Sequence, residues 1–185
     1  MYTLNRNLGL EWPDEYSKYL NGALGIPSRR IEENDTEWIP HSIPGAWMRK
    51  RIGSIRLSGS NIHQLDLLRV DGKGTTMFHH LFIVRTNINR NIKDFDCCWQ
   101  TEKFFSVSKS INFIWKEGPL AEELNLDLDL KATLAPFKRY IKIEADKEMH
   151  SVALLLDFSP HPDYLTQEQF QAMDRIAEHV LHFSI

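Results

Sequence analysis

Cysteine is scarce: the 185 residues hold two, and they are neighbours, Cys97 and Cys98. Adjacent cysteines are badly placed for an ordinary disulfide, so no oxidised framework is expected and a reducing cytoplasm is the expected location. No apolar run approaches the roughly 20 residues of a membrane-spanning helix, which argues against a membrane span. The opening residues, MYTLNRNLGLEWPDEY, carry neither a basic stretch ahead of an apolar one nor an Arg-rich amphipathic pattern, so neither a secretory signal nor a presequence is read there. Charge of one sign is also missing. A net charge of −3 and a pI near 6.2 give no electrostatic ground to expect nucleic acid or an acidic membrane as the main partner.

Motifs that dictate one chemistry are absent as well. Gly72-Lys73-Gly74-Thr75-Thr76 looks like part of a phosphate loop, but Leu67 stands where the first glycine is needed. A strand pattern, not a helix, follows it. Ser58 and Ser60 flank Gly59 without forming a nucleophile elbow.

What is present is an apolar content of 42%, enough in a chain of this length for one domain with a real core. Its densest stretch is residues 61–87, two apolar-rich runs joined by Asp71-Gly72-Lys73-Gly74. Asp-Gly and Lys-Gly tolerate the positive φ of tight turns, so the stretch is read as a β-hairpin. With Gly72 and Lys73 as a two-residue loop, Leu68 faces Met77 and Asp66 faces His79. One face then carries Gln64, Asp66, Leu68, His79, Leu81 and Ile83; the other carries Leu65, Leu67, Phe78, His80 and Phe82. Both are too apolar for a strand pair washed on one side, so helices are expected over one face and further chain or a partner over the other.

Elsewhere the patterns are shorter. Pro13 is read as the first position of a helix ending at Leu20. Residues 26–46 show no sustained period. Trp38 and Trp47 nevertheless imply that this stretch lies against something, because large aromatic surface seldom stays in water. Arg49, Lys50, Arg51 and Arg56 read as a solvated basic rim. Residues 53–57, 95–101, 104–107, 111–115, 140–144 and 151–158 read as strands or extended segments. Between them, Leu124, Leu126, Leu128 and Leu130 alternate with polar residues at strand period. Two short helices are still favoured over residues 119–136, with Asp127 or Asp129 capping the second and Pro136 ending it. The clearest element closes the chain: Thr166 to Gln169 is a capping box, followed by Phe170, Met173, Ile176, Ala177, Val180 and Leu181 at helical spacing.

The expected fold is α+β, a mainly antiparallel sheet of about five to seven strands with short mid-chain helices and a C-terminal helix packed on it. Residues 1–47 are read as an N-terminal helix and extended arm, and residues 48–185 as a single α+β domain. The order of elements over residues 58–182 resembles soluble domains of unknown function in some bacterial and archaeal proteins, often membrane-attached. The resemblance implies a turn-linked strand pair, extended segments, a helix, a second strand pair and a closing helix, and implies no activity.

Two functional readings follow. In the first, the chain is a non-enzymatic binding or scaffold module whose arm, with Trp38 and Trp47, docks on a protein partner or a second copy. In the second it is a small hydrolase-like or metal-dependent enzyme built on Asp66 and His79, the carboxylate orienting the imidazole. Neighbouring His79 and His80 point to opposite faces of a strand and cannot share an ion, so no metal site and no cofactor is expected. Base stacking on Phe78, His80 and Phe82 is weighed and set aside in favour of a core role. The first reading is preferred.

Overall fold

The computed structural model describes residues 8–43, 49–71, 76–101, 113–157 and 163–185. Eight strands form one sheet, one more than the upper expectation: β1 (Ser28–Ile31), β2 (Arg49–Leu57), β3 (Gln64–Asp71), β4 (Thr76–Arg85), β5 (Cys97–Thr101), β6 (Phe113–Lys116), β7 (Ile141–Asp146) and β8 (Ser151–Asp157). Their order is β1-β2-β3-β4-β8-β7-β5-β6, and every neighbouring pair is antiparallel. The strand that the sequence hid is β1. It buries only Ile31 among four residues, so no alternation is visible. The strand read at residues 104–107, together with Trp47, lies outside the described residues.

The central hairpin forms, with its register moved by two residues. Asp71 pairs with Thr76, Leu68 with His79 and Asp66 with Leu81, so four residues, not two, separate the paired ends. The Asp71 carboxylate receives Arg69 Nε at 2.8 Å and Thr76 Oγ1 at 3.1 Å, fixing that closure. Because side chains alternate with period two, a slip of two keeps each on its expected face. The slip nonetheless ends the direct opposition of Asp66 and His79.

One face is packed by four helices: α1 (Leu8–Ala23), α2 (Gly118–Leu126), α3 (Leu128–Leu134) and α4 (Gln167–Phe183). Between them and the sheet lie Leu65, Leu67, Phe82, Leu154 and Leu156 with Trp12, Tyr16, Leu124, Leu134, Met173 and Ile176, all buried. Two short helices do occupy residues 119–136. The Asp127 carboxylate accepts the Leu130 amide at 2.9 Å, capping α3. The capping box of α4 is present in full.

Pro13 does not start α1; it lies inside it. Its ring sits against Gly53, where an added Cβ would be 2.1 Å from Pro13 Cγ. Gly53 follows a register shift in β2 between Arg51 and Gly53, and this notch admits the ring, so a tertiary contact overrides the usual exclusion of proline from helix interiors. Trp12, Tyr16 and Leu20 share the main core, and Tyr16 and Tyr19 bind the backbone of Leu165 just ahead of α4.

On the other face the central strands β3, β4 and β8 are covered by the chain itself. Ile39 and the half-buried Ile43 pack on Leu68, Leu81, Ile83, Ala153 and Leu155. The segment after β1 therefore wraps the sheet.

Candidate functional site

Asp66 is wholly buried in the middle of β3, and a buried carboxylate needs donors. It has them: Arg51 Nε lies at 2.7 Å and Gln64 Nε2 at 2.8 Å, with Ser54 as a third donor. Burial raises its pKa, with Arg51 and the hydrogen bonds pulling the other way. These partners also hold the covering segment. The Gln64 side chain accepts the Ile39 amide at 2.8 Å and donates to the Ile39 carbonyl at 3.2 Å. Arg51 Nη2 donates to the His41 carbonyl at 3.3 Å, and its guanidinium lies 5.1 Å from the Trp38 ring centre. Arg51, only 13% exposed at its side chain, is thus no part of a solvated rim. Trp38, half-buried on Arg51, spends its ring on its own chain.

His79 shares the face with Asp66, and its ion-pair partner is Asp157 of β8. Nδ1 lies 3.1 Å from Asp157 Oδ1, yet the two atoms are misaligned for a hydrogen bond. Burial lowers the His79 pKa and Asp157 opposes that. A serine and a histidine do meet elsewhere: His41 Nδ1 is 2.8 Å from Ser151 Oγ. Ser151 is wholly inaccessible, which leaves no path for an attacked substrate, and the contact fastens the covering segment to β8. Cys97 and Cys98 are free and buried. Phe82 and His80 lie under the helices with no exposure, where no base can stack on them.

A more open arrangement lies on the outside of α4. A solvent-open trough of about 560 Å³ runs beside the helix, lined by the apolar Leu24, Ile26 and Phe170 and by the polar Asp127, Gln167, Gln171, Asp174, Arg175, Glu178, His179 and His182. That volume is in the usual range for ligand pockets. Its centre is an ionic lock. Arg175 donates Nε to Asp127 Oδ2 at 2.6 Å and Nη2 to Oδ1 at 2.7 Å, a bidentate pair. His179 bridges Asp127 at 2.8 Å and Glu123 at 3.3 Å. Burial works to raise the Asp127 pKa; His179, the Leu130 amide and Arg175 outweigh it and hold the carboxyl below its usual range. Every Asp127 lone pair facing inward is thereby used, and α2 and α3 are pinned to α4. Across the helix, Asp174 accepts Ser60 Oγ at 2.6 Å and the Asn61 amide at 2.8 Å.

Beside the lock stand Leu126 and Leu128, 82% and 71% exposed. Sequence reasoning about the capping Asp127 missed their consequence: the four-leucine alternation buries Leu124 and Leu130 and turns the middle pair outward. The lock itself leaves a sequence signal, two carboxylates four apart (Glu123, Asp127) matched to two basic residues four apart (Arg175, His179).

Among the described residues no three His, Cys, Asp or Glu side chains are arranged to hold a metal ion, and no helix is long and apolar enough to cross a membrane. Comparison of the chain with protein-family models, curated proteins and solved structures found no match.

Proposed function

We propose that this chain is a non-enzymatic binding module for protein–protein association and that its working surface is the α4 trough with the adjoining Leu126 and Leu128. The observation that carries the reading is an open trough beside α4 with Leu24, Ile26 and Phe170 in its lining, together with two exposed leucines on either side of Asp127, which also lines it. Exposed leucines near a trough that has apolar residues in its lining are the kind of surface a protein partner covers. Trp38 is given a different role from the one its sequence suggests: with Arg51, it docks the covering segment. Two free, buried cysteines fit a reducing compartment such as the cytoplasm.

The alternative, catalysis at Asp66 and His79, finds less support. Asp66 is saturated by Arg51, Gln64 and Ser54, and His79 is paired with Asp157.

The test is to pan a random peptide library against the protein and remeasure the selected peptides with Gln171→Trp, which fills the trough, and with Glu178→Arg. At least a tenfold loss of affinity in both is expected. Peptides held equally well by the variants contradict the reading. So does an ester- or phosphate-cleaving activity that His79→Gln abolishes.

A further inference from the structure

Asn21 is the one asparagine in the sequence that is followed by a glycine. That order of residues has a chemistry of its own. The backbone nitrogen after an asparagine can attack the side-chain amide carbon, and glycine, with no Cβ, hinders the attack least. Packing does not call for a glycine here. Gly22 lies inside α1, and a Cβ added to it would meet nothing within 4 Å. Alanine would suit the helix better by about 1 kcal/mol.

Asn21 is exposed and carries a structural task. Its Oδ1 accepts the Ser28 amide at 3.0 Å, and Nδ2 donates to the carbonyls of Ser28 at 2.7 Å and of Ser17 at 2.8 Å. Ser28 begins β1, the outermost strand on its side of the sheet. The tie therefore occupies backbone groups at which another strand could pair. At the opposite edge Asn125 does the same for β6: Oδ1 accepts the Trp115 amide at 3.2 Å and Nδ2 donates to its carbonyl at 2.9 Å. Asn125 is followed by Leu126, whose side chain obstructs the attack. Of two equivalent ties, one is chemically durable and the other is not.

We propose that Asn21 with Gly22 is a deamidation site and that the reaction undoes the tie at the β1 edge. The Gly22 nitrogen bonds to Asn21 Cγ and gives up its proton; the Cγ–Nδ2 bond breaks, and Nδ2 leaves as ammonia with that proton. Water then opens the cyclic imide at either carbonyl, leaving aspartate or isoaspartate at position 21. No oxidant, reductant or cofactor takes part. The helix restrains the first step, because its geometry directs the Gly22 N–H back along the axis and away from Cγ. Reaction proceeds from states in which the last turn is open, and helix ends open readily.

The product cannot rebuild the tie. In place of the donor Nδ2 stands a carboxylate oxygen, facing the carbonyl oxygens of Ser28 and Ser17, which are acceptors like itself. The new negative charge also sits in the last turn of α1, the negative end of the helix dipole, where no basic residue offsets it.

The full chain is aged in mildly alkaline buffer, with and without urea, and peptide mapping reads asparagine, aspartate and isoaspartate at position 21. The folded wild type is expected to convert at Asn21 ahead of Asn125, at least tenfold more slowly than in urea. Gly22→Ala, which keeps Asn21 and its contacts, should slow the conversion at least tenfold in both conditions. In Asn21→Asp, and in the aged protein separated by charge, hydrogen exchange at the Ser28 amide should be at least tenfold faster, with amides in β4 unchanged. A folded wild type that forms neither product at position 21 overturns the site, as does a conversion indifferent to Gly22→Ala. Equal rates with and without urea would refute the restraint by the helix. Wild-type exchange at Ser28 in both acidic forms would refute the loss of the tie.

Discussion

His80 is a titratable side chain with no exposure, enclosed by Trp12, Tyr16 and Phe82. Burial, assisted by neighbouring His79, drives its pKa from the ordinary 6.5 down to about 3. Burial lowers His41 and His79 in the same direction. The folded state refuses a proton that the unfolded chain takes up below 6.5, so stability present above that pH is lost as the pH falls. His80 alone should remove about 2 kcal/mol between pH 7 and pH 5. Urea unfolding at the two pH values measures this: His80→Leu should lose less stability on acidification than the wild type by about that amount, and an equal loss would refute it. At this scale the sequence identified Asp66 as a carboxylate that must find a donor, but not which one. Arg51 comes from a different strand whose bulge, set by Gly53 against Pro13, has no signature in residue type. Its place in a run of basic residues read instead as a charged surface.

Elements were legible where one local pattern decided them. The capping box and apolar stripe of α4 needed nothing from the rest of the fold. The break between α2 and α3 rested on Asp127 as a cap, and the strand-like leucine spacing across it hides a helical outcome: Leu124 and Leu130 are buried while Leu126 and Leu128, at the break, face water. Illegible elements were those that tertiary contact decides: β1, with a single buried residue, and the full extent of α1 across Pro13. The edge asparagines belong here too. Asn21 and Asn125 look like ordinary helix residues until the sheet brings a strand edge to each. Asn125→Ala should cost about 1 kcal/mol and, more specifically, speed hydrogen exchange at the Trp115 amide while leaving amides in β3 and β4 unchanged. An unaltered rate at Trp115 would show that the asparagine does not guard that edge.

In the described residues the sheet is packed by four helices on one face and, over its central strands β3, β4 and β8, by the segment after β1 on the other. The sequence foresaw two covered faces because both sides of the central hairpin are apolar. It did not foresee that the partners of Asp66, one of the two candidates for chemistry, also hold the covering segment, or that the other, His79, is paired with Asp157. Asp66 and Arg51 anchor the segment, Ser151 and His41 fasten it, and Trp38 lies on the anchor. Among the described residues, the outside of the helical layer is where the proposed trough and the outward Leu126 and Leu128 are found. Helical periodicity directs attention to the buried stripe of such a helix, so its outer stripe went unread. The most direct measurement is a series of methyl spectra from leucine-labelled protein titrated with a peptide selected against it from the random library. The methyls of Leu126, Leu128 and Leu24 should shift together along one binding curve while those of Leu68 and Leu81, beneath the covering segment, stay fixed. Unchanged Leu126 and Leu128 methyls, or shifts confined to residues remote from α4, would contradict the account.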